Sequence, residues 1–148
     1  MLGEGMTMKQ YNEFTLEDLQ VGQQEQFTVS ITADKQALFT SLSGDVNPLH
    51  LDKEYAQSKG FDDCVVYVMC TASFYSTLVG VYLPGKRCLF LEACIQWPRP
   101  VYIGDTLQIT GEIRSIDTRF RLVELRSKIT NQHGKVVSKA KLKVKVLE

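Results

Sequence analysis

The sequence predicts an α+β domain in which a mostly antiparallel sheet wraps around one apolar helix. The first observation is a run without a charged residue, 64–83, which predicts a buried central helix at about 69–81, before Pro84. The second is the chain from residue 88 onward, where apolar and polar residues alternate between short turns. Short connections favour antiparallel neighbours, and the sheet must bury one face, for which the apolar helix is the natural cover.

The remaining elements follow from local signals. Residues 26–31 alternate and predict a strand, and Thr32 is a suitable N-cap for a helix over 33–42. Gly44 predicts the end of that helix, and a second short helix is expected over 51–59. The apolar residues of the first helix are predicted to gather on one side: Ala37, Leu38, Phe39 and Leu42. Four further strands are predicted, at 88–97, 106–116, 122–130 and 135–146.

Composition bounds the class of protein. The chain has 148 residues, enough for one domain with a real core, and 17 basic residues balance 17 acidic ones. This balance argues against nucleic-acid or anionic-membrane binding. The uncharged run is long enough to cross a bilayer, but its Ser, Thr and Gly residues and the lack of a basic flank favour a buried helix. We expect residues 1–13 to form a flexible leader and residues 14–148 a single domain.

Cysteine and histidine usage indicates the compartment and the kind of site. The four cysteines form no CxxC pair and lie among apolar residues, so we expect buried free thiols in a reducing cytoplasm. They are Cys64, Cys70, Cys88 and Cys94. His50 and His133 are the only histidines, which excludes a site built from several histidines, and no metal site is predicted.

The most polar short stretch follows the first helix. Asp45, Asn47 and His50 lie within six residues, with Pro48 as a helix breaker among them. An irregular loop can aim Asp45 and His50 at one water, take a proton from it and return one to a substrate carbon. The residues alone leave a second interpretation open, an Asx-type turn with a helix cap and an incidental histidine.

A longer motif resolves this choice by resemblance. The stretch Phe39-x-x-Leu-Ser-Gly-Asp-Val-Asn-Pro-Leu-His50, together with Pro100-Val-x-x-Gly-Asp105, resembles the signature of MaoC-like (R)-specific enoyl-CoA hydratases, and the similarity extends along nearly the whole chain. The resemblance implies a hot-dog fold, a sheet wrapped around a long central helix. It also implies a homodimer or larger homo-oligomer.

The resemblance further implies an activity. Asp45 and His50 match the family's catalytic dyad, which activates water for addition to a trans-2-enoyl thioester or catalyses the reverse dehydration of an (R)-3-hydroxyacyl thioester. Asn47 matches the motif asparagine that supports the dyad. No metal or redox cofactor is implied, because coenzyme A or acyl carrier protein enters as part of the substrate.

The sequence departs from the family where the central helix begins. The family carries His-Gly-Met there, with the glycine N–H facing the thioester oxygen, whereas this chain has Tyr67-Val68-Met69. The alternatives are therefore a non-catalytic or altered-specificity thioester-binding protein, or an acyl-CoA thioesterase. Ser76 matches a pocket serine of the family, and it is equally interpreted as a helix serine that bonds its own backbone. The resemblance thus implies a set of substrate-binding residues: Asn47, Tyr67, Val68 and Ser76.

Overall fold

The computed structural model describes residues 10–148. The helices are α1 (Ala33–Ser43), α2 (Pro48–Leu51), α3 (Lys53–Ser58) and α4 (Val68–Thr77), with a 3-10 turn at Leu16–Asp18 and a π-helical turn at Leu78–Tyr82. The strands are β1 (Gln24–Ser30), β2 (Cys88–Gln96), β3 (Thr106–Asp117), β4 (Leu122–Thr130) and β5 (Val136–Val146).

The five strands form one antiparallel sheet in the order β1-β3-β4-β5-β2. The predicted strands lie within two residues of the observed bounds, and β4 agrees at both ends. Side chains on β4 alternate between buried and exposed, so one face of the sheet carries the core. The predicted α+β class and the antiparallel sheet are therefore confirmed.

Helix α4 packs on that buried face. Tyr75 and Leu78 are fully buried among residues of β3, β4 and β5. Leu78 lies so close to β3 that a Cβ on Gly111 would come within 2.6 Å of its Cδ2, so the helix approaches the sheet where glycine leaves room.

The central helix differs from its prediction in two ways. It begins at Val68, and after Thr77 it continues as the π-helical turn rather than as an α-helix to residue 81. One of its faces is also open in this chain, with Val68 40% and Met69 57% exposed. The uncharged sequence predicted burial all round, and this chain provides a sheet for only one side of the helix.

Helix α1 confirms its predicted cap but not the packing of its apolar side. Thr32 Oγ1 accepts a hydrogen bond from the Lys35 N–H at 3.2 Å. Leu38 and Leu42 are 70% and 82% exposed, whereas the buried residue of the helix is Gln36. The helix turns a polar side inward because Gln36 holds neighbouring backbone carbonyls.

Near the start of the described residues the chain is bonded to the π-helical turn that follows α4. Residues 1–9 of the predicted leader lie outside the described residues, while the Asn12 N–H donates to the Val81 carbonyl at 2.7 Å. None of the described helices is both long and apolar enough to cross a membrane.

The four cysteines are free thiols, but they are not all buried. Cys70 is buried, Cys64 and Cys88 are half-buried, and burial raises the pKa of the Cys88 thiol to about 11. Cys94 is exposed, contrary to the prediction. It lies opposite the exposed Lys141 in the register of β2 and β5, on the outer face of the sheet.

Tyr75 provides a test of the packing between α4 and the sheet. Its hydroxyl donates to Ser138 Oγ at 2.7 Å, and Ser138 Oγ donates to the Gln96 carbonyl at 2.9 Å. Burial raises the pKa of Tyr75 to about 12, only partly offset by the Ser138 hydrogen bond. An unfolded tyrosine ionises at about pH 10. The stability that comes from burying the neutral Tyr75 hydroxyl is therefore complete below that pH and is lost as the pH rises toward about 12.

We therefore expect Tyr75→Phe to cost about 1 kcal/mol of unfolding free energy at neutral pH. The variant should also lose free energy less steeply than wild type above about pH 10, because the buried ionising group is gone. Urea unfolding across this range tests both, with the exposed Tyr55→Phe as control. Equal pH slopes for wild type and Tyr75→Phe would contradict the assignment.

Candidate active site

The site begins where α1 ends. Gly44 adopts a φ of 70°, and its N–H donates to the Thr40 carbonyl at 2.9 Å. The Ser43 hydroxyl donates to the Phe39 carbonyl and accepts from the Asp45 N–H, at 2.8 and 3.2 Å. These local bonds end the helix and direct Asp45 away from the helix axis.

Asn47 joins the loop to α2. Its side-chain oxygen accepts from the Leu49 N–H at 2.9 Å, which makes it the N-cap of α2, and its own N–H donates to Asp45 Oδ1 at 3.0 Å. Pro48 is the first residue of α2. As expected, Pro48 holds Asn47 outside the α-helical region, at a ψ of 130°, so α2 does not continue from α1. Proline itself suits the first helical turn, where its missing N–H has no partner to lose.

His50 lies on α2 rather than in an irregular loop, and the predicted helix 51–59 is two short helices that begin at residue 48. The Nδ1 of His50 lies 2.7 Å from the Val65 carbonyl oxygen. A carbonyl only accepts, so Nδ1 carries the proton and Nε2 of the neutral ring keeps a free lone pair.

The free nitrogen faces Asp45. His50 Nε2 and Asp45 Oδ2 are 3.8 Å apart, and the two side chains are 16% and 47% exposed. Two acceptors at this separation do not bond each other, but one water can donate to both, with each leg at about 2.8 Å. The arrangement can therefore hold a water from the solvent side and remove a proton from it.

Tyr67 lies beneath this pair and is almost fully buried. Its ring stacks on the His50 ring with centroids 3.9 Å apart and packs against Phe39 at 5.0 Å. Its hydroxyl donates to the Asp45 backbone carbonyl and lies 2.8 Å from Thr40 Oγ1.

The N-terminus of α4 comes directly after Tyr67 in the sequence. Tyr67 is the N-cap of α4 and makes no side-chain cap, and Val68 is the first helical residue. The backbone N–H groups of a first helical turn have no partner within the helix. The structure thus brings Asp45, Asn47, His50 and Tyr67 together, with Val68 next along the chain. Ser76 is exposed on α4, eight residues beyond Val68, or about 12 Å along the helix axis.

Sequence reasoning missed the residues that orient the pair. Gln36 Nε2 donates to the His50 and Val65 carbonyls, at 3.4 and 3.3 Å, and Thr40 contacts Tyr67. The sequence carries no signal for Gln36, because α1 also carries other polar residues, Asp34, Lys35 and Thr40 among them. The Val65 carbonyl has none, because a main-chain acceptor leaves no mark on the sequence.

A shallow apolar groove of about 220 Å³ lies between α1 and α4 beside the site. Leu38, Phe39, Leu42 and Phe74 form most of its walls, and Phe39 also contacts Tyr67. Among residues 10–148 no group of three His, Cys, Asp or Glu side chains could hold a metal ion.

Comparison with known proteins identifies the family. The family model described as "MaoC like domain" matches residues 17–133. The chain belongs to the MaoC-like family. This MaoC-like domain is 33% identical to the (R)-specific enoyl-CoA hydratase of Aeromonas caviae, over 80% of the chain and 88% of the relative. It is 32% identical to the enzyme of the same name from Rhodospirillum rubrum, over 88% and 90%.

Solved structures agree with the fold. The (R)-hydratase from A. caviae matches with a TM-score of 0.83 at 32% identity, covering 88% of this chain and 98% of that one. The R-hydratase PhaJ1 from Pseudomonas aeruginosa matches with a TM-score of 0.85 at 29% identity, covering 93% and 88%. The predicted hot-dog fold is confirmed.

The predicted enzyme class, a carbon–oxygen lyase that hydrates or dehydrates, is confirmed as well. Besides the two hydratases, a 3-hydroxybutyryl-CoA dehydratase from Methylorubrum extorquens is 29% identical over 68% of this MaoC-like domain and 64% of its own length. All three relatives are named for adding or removing water.

The cap at Asn47 provides a test of how the loop is held. We expect Asn47→Ala to lower the unfolding free energy by about 1 kcal/mol, because α2 loses its N-cap, and Asn47→Ser to retain most of it. Chemical unfolding of both variants measures the difference. Equal stability of the alanine and serine variants would contradict the capping role.

Proposed function

We propose that this protein catalyses (R)-specific hydration of trans-2-enoyl-CoA, or the reverse dehydration of (R)-3-hydroxyacyl thioesters, with Asp45 and His50 as the acid–base pair. The observation that carries the proposal is the approach of His50 Nε2 to Asp45 Oδ2 at 3.8 Å, with Nδ1 committed to the Val65 carbonyl. Named hydratases among its relatives support it.

The chemistry follows from the two acceptors. A water that donates to both directs its oxygen lone pairs outward, toward C3 of an enoyl thioester. As the C–O bond forms, the pair removes one proton from the water and returns a proton to C2. Dehydration runs the same steps backward, and the sum is the addition or loss of one water with no other reactant.

The thioester carbonyl needs a donor as negative charge develops on its oxygen. We propose that the backbone N–H of Val68 supplies it, at the end of α4 where the helix dipole is positive. The valine side chain is 40% exposed, which supports a pocket reshaped by the side chain rather than closed by it. Contacts of Asn47 and Ser76 with the substrate remain predictions.

We expect wild type to remove the ultraviolet absorbance of the conjugated enoyl thioester, and Asp45→Asn to slow this by about a hundredfold to ten-thousandfold. Asparagine keeps the oxygen that accepts from the Asn47 N–H, so the loop retains its shape. Glu54→Gln, an exposed charge change in α3, is the matched control. Equal inactivity of wild type and Asp45→Asn on acyl chains of several lengths would refute the proposal, and release of free coenzyme A thiol would indicate a thioesterase instead.

We also propose that the protein is a homodimer that works in the cytoplasm, uses no metal or redox cofactor, and takes coenzyme A or acyl carrier protein only as part of its substrate. Among the described residues β2 is an edge strand, with Leu89 and Leu91 exposed. Ala93 shares a sheet face with its buried partner Leu142 and is nevertheless exposed. A second copy at this edge would cover the open apolar surface.

We expect light scattering to give twice the chain mass for wild type. Leu91→Glu should shift the protein toward the single-chain mass, because a charge then lies on the apolar edge. Phe120→Glu, at an exposed phenylalanine in the turn between β3 and β4, is the control and should leave the mass unchanged. A single-chain mass for wild type would contradict the homodimer.

A further inference from the structure

The hydroxyl of Tyr67 holds the backbone of the loop that carries Asp45. It contacts the Asp45 carbonyl and Thr40 Oγ1. A carbonyl has no proton to give, so the single Tyr67 hydroxyl proton belongs to the bond with Asp45. The Thr40 hydroxyl has two acceptors for its one proton, the Tyr67 oxygen at 2.8 Å and the Gln36 carbonyl at 3.0 Å. The bond from Tyr67 to Asp45 therefore has a defined direction, whereas Thr40 divides its proton between Tyr67 and its own helix.

The ring of the same residue determines where the imidazole lies. Tyr67 covers one face of His50, with 3.9 Å between centroids and 29° between planes. The Tyr67 ring also packs against the Phe39 ring on α1, and Tyr67 is only 2% exposed. The imidazole is thus held through its Nδ1 by Val65 and over one ring face by Tyr67.

The backbone of Tyr67 links these contacts to a third part of the site. Tyr67 caps α4, so the residue that holds Asp45 and His50 directly precedes the Val68 N–H. Tyr67 therefore contacts both members of the Asp45–His50 pair and also forms the N-cap of α4. No substrate atom needs to touch it, because its polar atom already contacts Thr40 and Asp45.

We propose that Tyr67 is a positioning residue that fixes Asp45 and His50 relative to the N-terminus of α4, rather than a substrate-binding residue. The proposal rests on the proposed function for its kinetic part, and its structural part stands without it. Phenylalanine keeps the ring and removes only the hydroxyl. We therefore expect Tyr67→Phe to lower kcat about tenfold, the loss of roughly one strong hydrogen bond, with KM little changed.

The Thr40 contact predicts a pattern that a merely structural residue would not produce. Thr40→Val removes a hydroxyl that contacts Tyr67 and also bonds the Gln36 carbonyl, at nearly constant shape, and should lower kcat less than Tyr67→Phe does. The double variant should lose less than the sum of the two single losses, because the two hydroxyls contact each other. Additive losses in kcat would overturn this coupling between Thr40 and Tyr67.

Amide hydrogen exchange gives a readout without turnover. Tyr67→Phe should speed exchange of the Asp45 and Asn47 N–H groups about tenfold, because the loop loses its anchor to the buried hydroxyl. Tyr55→Phe, an exposed tyrosine of α3, is the matched control and should change neither exchange nor kcat.

The outcomes separate the two claims. Faster loop exchange in Tyr67→Phe with an inactive wild type would refute the hydratase proposal and support the positioning role. An active wild type with unchanged kcat and unchanged loop exchange in Tyr67→Phe would overturn the positioning role alone. A raised KM at constant kcat would also overturn it, because it would indicate direct substrate contact.

Discussion

The hydrogen bond from His50 Nδ1 to the Val65 carbonyl is the interaction on which the site depends. It selects the tautomer that leaves Nε2 free to face Asp45. The same two segments are joined a second time, because the Val65 N–H donates to the Leu49 carbonyl at 2.9 Å. The imidazole is therefore fixed by the segment that leads into the central helix, not by its own short helix, which has only four residues.

That segment is itself anchored to the sheet side of the domain. The Val66 N–H donates to the Val101 carbonyl at 2.8 Å, and both residues are buried. The packed core therefore fixes residues 65 and 66, which lead into α4, and the Val65 carbonyl in turn fixes the imidazole. The exposed loop from Gly44 to Asn47 needs only local bonds to its own backbone and one anchor, Tyr67. This division lets a solvent-facing carboxylate be held accurately beside a more deeply placed imidazole.

The fold was largely predictable from local pattern. The strands from residue 88 onward follow strict alternation, and Thr32 and Gly44 bound α1 by capping chemistry. The pattern was less informative about which apolar surface this chain covers. Leu38, Leu42 and Met69 have helical spacing typical of a core, yet they are exposed. Periodicity shows that a face is apolar, and it does not show whether the same chain supplies the partner surface.

The proximity of the two candidate groups was predictable from the sequence, and the contacts that hold them in place were not. The motif resemblance named Asp45 and His50, and the structure brings them within 3.8 Å. Gln36 and Thr40 escaped detection because their contacts join residues that are distant in sequence or end on backbone carbonyls. Tyr67 was predicted to bind substrate and was noted as a departure from the family pattern. Its four contacts, with Phe39, Thr40, Asp45 and His50, become visible only when α1, the loop, α2 and α4 are assembled.

The fate of oxygen from isotopically labelled water tests the central claim most directly. The protein is incubated with a trans-2-enoyl-CoA in labelled water, and the products are separated by chirality and weighed by mass spectrometry. The account predicts one labelled oxygen on C3 of an (R)-3-hydroxyacyl group that is still joined to coenzyme A. Label in a free carboxylic acid, or no labelled product at all, would contradict it.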